Sequence, residues 1–159
     1  MNRIGLMSAA VLTALALPVA AGAASGPFAA LAGQWSGGGQ LAMADGNTEQ
    51  LRCRASYTVG GSGNDLRLSI RCASASYNFE LGSDVTYEGG RISGTWSEST
   101  RKASGDITGT ASPSTIQATA TGQSFSASLA LATKGNRQTV TIRSQGSDFA
   151  GVSLALNRN

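Results

Sequence analysis

Histidine is absent from the 159 residues, and cysteine occurs only twice. The first absence removes the commonest general base and metal ligand. Without histidine or a third cysteine there is no ligand set for a zinc-type centre, and no metal or other cofactor is expected. Serines are numerous, but none sits in a G-x-S-x-G elbow. Lys102 and Lys134 both fall in expected loops. Nothing selects a nucleophile and its base, so the expected role is not enzymatic. Charge is also sparse. Twelve basic and nine acidic residues leave a net charge of +3, too little to argue for a nucleic-acid partner. Long helix-period patterns are missing. No apolar run beyond the N-terminal segment is long enough to cross a bilayer as a helix.

The first two dozen residues read as a bacterial-type signal peptide. Arg3 supplies the positive end, Ile4 to Val19 the apolar stretch, and AAGAAS (20–25) the small residues for cleavage after Ala23 or Ala24. No arginine pair precedes the apolar stretch and no cysteine lies near the cut, which favours general export without a lipid anchor. The expected layout is a signal peptide over 1–24 and one domain over 25–159, periplasmic or secreted. About 135 residues can bury a core. In an oxidising compartment Cys53 and Cys72 have only each other, so one disulfide is expected.

What the chain does have is alternation of period two, the strand signal. LRCRASYTV (51–59) puts Leu51, Cys53, Ala55, Tyr57 and Val59 on one face. LRLSIRC (66–72) repeats the pattern, and YNFELGSDVTY (77–87) alternates without a break. Ten strands are predicted: 33–44, 48–59, 65–73, 76–88, 90–99, 104–111, 115–121, 124–133, 137–144 and 149–157. Facing residues in an antiparallel pair share a constant sum of positions. Cys53 with Cys72, Ala55 with Ile70, Tyr57 with Leu68 and Val59 with Leu66 all share one, so the cysteines and the apolar pattern choose the same register. Later hairpins are expected to pair Cys72 with Tyr77 and Ile70 with Phe79 around Ser74-Ala75. Ala120 should meet Phe125, and Ile116 Leu129, around Gly122-Gln123. Leu131 should meet Val140, and Leu129 Ile142, around Gly135-Asn136. Glycine at the first central place suits a type II′ turn in the last two. The short connections leave no room for crossover helices. One polar and one apolar face over an even number of strands favours an all-β, up-and-down antiparallel barrel that closes on itself. A two-sheet sandwich is the alternative. An outer-membrane barrel is not expected, because the outward faces are Ser/Thr and the chain ends Asn157-Arg158-Asn159.

LAGQWSGGGQL (31–41) then begins strand one, with Trp35, Gly37, Gly39, Leu41 and Met43 inward. Its glycines let the strand bend at closure, or let another group approach the backbone closely. Gly33-Gln34-Trp35 resembles the G-x-W start of the calycin barrels, which include lipocalins and avidins. GQWSGGG also resembles the start of nitrobindin-like barrels, and GGRISGTWSE (89–98) is similar in style to an avidin strand. The resemblance implies a barrel with an arginine from near the chain's end packed on the tryptophan, a role that Arg158 matches. It does not carry a ligand across: nitrobindin-like proteins hold haem through a histidine, and avidins use several tryptophans where only Trp35 and Trp96 stand here.

Many inward positions are small: Gly37, Gly39, Ala55, Gly94, Gly109, Ala118, Ala120 and Ala127. Ten strands enclose more space than these fill, which predicts an apolar cavity. The alternative is a flattened barrel whose walls meet. Met43, Tyr77, Trp96, Glu98 and Phe125 gather toward the end away from Trp35 and are the candidate ligand-binding residues. Inward Glu98 is placed either to orient a ligand, with its pKa raised if desolvated, or at the rim in water. Outside, Arg52, Arg54, Arg67 and Arg71 form a basic patch, with Arg54 directly opposite Arg71. Glu80 is expected to face Ser69, diagonal to Arg67 and Arg71. The patch is either solvated and partly offset by Glu80, or a site for anionic envelope surfaces. The leading expectation is a binding module for a small apolar ligand. The alternatives are a protein-interaction module such as a protease inhibitor, which the G-x-W start and single disulfide resemble, and a structural envelope protein.

Overall fold

The computed structural model describes residues 25–159; the predicted signal peptide lies outside the described residues. Ten antiparallel strands run β1 (Gly33–Met43), β2 (Thr48–Val59), β3 (Asp65–Ala73), β4 (Asn78–Glu88) and β5 (Arg91–Glu98), followed by β6 (Ala103–Ala111), β7 (Thr115–Thr121), β8 (Ser126–Lys134), β9 (Arg137–Gln145) and β10 (Phe149–Arg158). Each pairs with its neighbour in sequence, and β1 pairs with β10 to close the barrel. The sandwich alternative is therefore excluded. Closure leaves no sheet edge exposed.

Cys53 and Cys72 form the disulfide, opposite one another in the expected β2–β3 register. The β8–β9 pairing is also as expected, with Leu131 opposite Val140 and φ +58° at Gly135. Two registers differ from expectation by two residues. Cys72 faces Phe79, not Tyr77, and Ile70 faces Leu81. Ala120 faces Ala127, not Phe125, and Ile116 faces Leu131. Each turn sits one residue later, with Ala75-Ser76 and Gln123-Ser124 at the tips. The bonds from Ser74 N to Tyr77 O (2.8 Å) and from Gly122 N to Phe125 O (2.9 Å) define them. The first tip is held by Glu49, whose carboxylate accepts from Ser74 Oγ, Ser76 Oγ and Ser76 N and has its pKa lowered by them. At the second, Gly122 does not adopt the positive φ a type II′ turn requires. It makes room instead: a Cβ there would lie 3.2 Å from the Trp96 ring. A shift of two keeps every side chain on its face, so the inward set survives both corrections.

The inward glycines answer the question of close approach. A Cβ on Gly37 or Gly39 would overlap the carbonyl oxygens of Ala155 and Ser153 across the β1–β10 seam. Gly94, Gly105 and Gly109 meet neighbouring-strand carbonyls in the same way on the far side of the barrel. The tight coiling at these two places requires glycine.

One end of the barrel is plugged. Residues 26–28 cross it, with Gly26 N bonded to Ser62 O (2.9 Å) and Phe28 N to Gly63 O (3.1 Å). Phe28 is fully buried, edge-on to Tyr87. The short 3-10 turn Ala29–Leu31 follows, and Leu31 O accepts from Trp35 Nε1 at 2.8 Å. Trp35 is fully buried, and the Arg158 guanidinium lies 4.3 Å from its ring centroid while donating to Ala30 O and Ala32 O. Beside it, Tyr57 donates to Gln138 Oε1 (2.7 Å), and Gln138 Nε2 to Thr133 Oγ1 (3.3 Å), so this buried polar chain is satisfied. Burial pushes the Tyr57 phenol pKa up, and the ring remains neutral.

Candidate functional site

Above this plug the walls do not meet. A cavity of about 410 Å³ occupies the barrel interior. Its volume corresponds to roughly fourteen waters of liquid, whereas packed interiors hold few voids larger than one water. Leu68, Leu81, Ile107, Ala118, Leu129 and Ile142 are inward, apolar and yet only half-buried, because they face open space. Small side chains on β7 and β8 are the reason: Ala118, Ala120 and Ala127 line the cavity where larger residues would fill it.

Phe28 and Tyr57 lie at the floor, and the mouth is at the opposite end. The residues that both line the cavity and are exposed, Arg101, Ala103, Ser124, Gly146 and Asp148, all lie in or beside the turns of that end. Five aromatic rings pack in one unbroken series at this end. Phe79 packs on Tyr77, Tyr77 on Phe149, Phe149 on Phe125 and Phe125 on Trp96, with centroids 5.4–6.3 Å apart. Trp96 Nε1 donates to Thr121 O at 3.1 Å, which fixes that ring.

Of the five residues expected at the mouth, Tyr77, Trp96, Glu98 and Phe125 line the cavity, and Met43 does not. A β-bulge follows Ala42, and across it Met43 faces Phe149, which takes the lining position instead. Tyr77 belongs to the β3–β4 turn rather than to a strand. The sequence reading also missed Phe79, Phe149, Arg101 and Asp148. Phe79 carried a usable signal, since it shares parity with inward Leu81. Phe149 has the opposite parity to inward Val152, Leu154 and Leu156 and is brought inward only by the bulge that skips Ala150. Arg101 and Asp148 lie in turns, where parity says nothing.

Glu98 is neither a rim carboxylate in water nor a group free to orient a ligand. It is 8% exposed, and its oxygens accept from Glu80 N (3.0 Å), Thr100 N (3.1 Å), Thr100 Oγ1 (2.5 Å) and Arg101 N (2.7 Å). Burial alone would raise its pKa, but these donors outweigh it and the net shift is downward. Its task is to tie the β5–β6 turn to β4. That turn carries Lys102 at φ +55° and presents Arg101 to the mouth. Arg101 lies 3.9 Å over the Tyr77 ring.

The arginine patch is differently arranged from expectation. Arg54 does face Arg71. Glu80, however, faces Arg71 directly, because of the β3–β4 register, and pairs with it at 2.7 Å. Arg67 pairs with Asp84 at 2.7 Å. Arg52 and Arg54 make no ion pair among the described residues, which leaves two uncompensated charges rather than four.

No known protein-family model matches the chain, and no curated protein does. Among solved structures it is similar to an S-type phycobiliprotein lyase from Guillardia theta, with a TM-score of 0.55 and 13% sequence identity, over 83% of this chain and 90% of that one. At that identity the likeness is one of fold alone, a closed antiparallel barrel.

Proposed function

We propose that this chain is an exported, non-enzymatic binding module that holds one small apolar ligand inside its barrel. The observation that carries the reading is the cavity of about 410 Å³, walled by apolar side chains of β3 to β10 and lined at its mouth by a series of aromatics. A void of that size behind an apolar wall has the dimensions of a small-ligand pocket rather than of a packing fault. The non-enzymatic part of the reading rests on the chemistry present. Both thiols are joined in a disulfide, Glu98 is occupied by four donors, and the sequence has no histidine to act as base. Export rests on the N-terminal sequence and on the disulfide, which an oxidising compartment favours.

Native mass spectrometry of the protein purified from its own host tests this reading. The expected spectrum shows a sub-kilodalton mass adduct that is lost on denaturation. A co-purifying protein, with the barrel itself free of adduct, would favour the protein-interaction reading instead.

A further inference from the structure

Arg101 is the only cation among the described residues that line the cavity. Its guanidinium is half-committed. Nη1 donates to Asn78 O (3.0 Å) and Thr100 Oγ1 (2.9 Å). Nε and Nη2 make no hydrogen bond to the protein among the described residues, which leaves free the two parallel N–H donors of the Nε/Nη2 edge and the second Nη2 N–H beside them. The nearest carboxylate does not claim them. Glu98 Oε2 stands 3.9 Å from Nη1, and the two Glu98 oxygens already accept four other donors. Asp148 also lines the mouth but is not within ion-pair distance of the guanidinium. The Tyr77 face beneath and the two Nη1 bonds hold the guanidinium plane in place, so little freedom is lost when the free edge is used.

An apolar cavity with one fixed, open-edged guanidinium at its mouth suits an amphiphile. We propose that the ligand carries a single acidic head, a carboxylate or its phosphate-type equivalent, received by the Nε/Nη2 edge of Arg101 while its apolar body lies along the barrel. A planar guanidinium edge matches such an acid with two parallel charge-assisted bonds. Asp148 sets the polarity of the site: its charge opposes an acid displaced from the Arg101 side of the mouth. The size of the body follows from the wall. Phe79 to Val85 of β4 line the cavity, and at ~3.3 Å per residue with a strand tilt of ~40° they span about 15 Å of depth. That accommodates a medium-length alkyl chain or a compact ring system.

This inference rests on the cavity reading, and the test separates the two. The neutral apolar dye N-phenyl-1-naphthylamine is titrated into the full mature protein and then displaced with dodecanoate or with dodecan-1-ol. An apolar mouth without a fixed cation favours the alcohol, since the carboxylate must give up its water. Dodecanoate is expected to displace the dye at a concentration at least about tenfold lower than the alcohol. Arg101→Gln should erase that preference while the dye still binds, and Asp148→Asn should strengthen the acid a few-fold and leave the alcohol unchanged. Dye binding with no preference for the acid, or a preference that survives Arg101→Gln, would overturn the acidic-head assignment and leave the cavity reading standing. Failure of the wild-type protein to bind dye, dodecanoate or dodecanol would overturn both.

Discussion

Filling the cavity is the perturbation with the most informative sign. Ala118 and Ala127 stand on adjacent strands and both line the void. Ala127→Leu adds three carbons, worth up to about 2.4 kcal/mol at ~0.8 kcal/mol per buried methylene. Burying the ring of Ala118→Phe is worth up to about 3 kcal/mol on the same scale. Ordering each new side chain costs about 0.5–1 kcal/mol, and transfer values are upper bounds. Each substitution should therefore stabilise by about 1–2 kcal/mol, with some loss of additivity because the two sites are close. Urea unfolding is the assay: the midpoint should rise at unchanged slope, while a neutral apolar dye loses its site. If the walls met in a packed core, the same substitutions would overpack it and cost about 1–3 kcal/mol each. A lowered midpoint in the double variant, together with a wild type that binds no dye, would refute the reasoning.

Three further outcomes follow from particular contacts. Reduction of Cys53–Cys72, which are 19 residues apart, should destabilise by about 3 kcal/mol on the chain-entropy model, read as a lower thermal midpoint under reductant; an unchanged midpoint would count against that contribution. Gly39→Ala sets a Cβ against Ser153 O and should destabilise by at least the ~1–3 kcal/mol of a core overpacking. Faster hydrogen exchange along β1 and β10 should accompany it, and near-neutral behaviour would mean the seam is looser than described. The Glu98 carboxylate has a folded-state pKa below its unfolded value, so its contribution is fully present above the unfolded pKa and is lost as pH falls through the folded one. Glu98→Gln should therefore lower stability at neutral pH and flatten its acid limb, and a variant that kept the wild-type acid limb would assign that limb to other carboxylates.

The sequence carried the strands well because a buried face imposes period two. Leu51, Cys53, Ala55 and Tyr57 of β2 all point inward as the alternation requires. The β2–β3 register was legible because a disulfide fixed it as well as the pattern. The β3–β4 and β7–β8 registers were not, because a slip of two residues leaves every side chain on its own face and the pattern is blind to it. What decided them was tertiary: Glu49 reaching the Ser74–Ser76 turn, and Trp96 occupying the space beside Gly122. The same limit explains the arginine patch, where the two-residue slip brought Glu80 opposite Arg71. At the mouth, Tyr77, Trp96 and Phe125 were legible from strand direction. Met43 packs against the core but does not reach the cavity, because the skipped Ala150 in β10 broke the count on that strand and brought Phe149 to the lining position. Whether the walls meet is a matter of diameter, which the alternation along one strand does not encode.

The barrel walls enclose an apolar space that opens at the aromatic end, and diffraction from a crystal under xenon pressure tests this most directly. Apolar cavities of this kind take up xenon. The account predicts ordered xenon between Leu81, Ile107, Leu129 and Phe125, within the cavity of about 410 Å³. A xenon-free interior in which the side chains of β4 and β8 meet would contradict it.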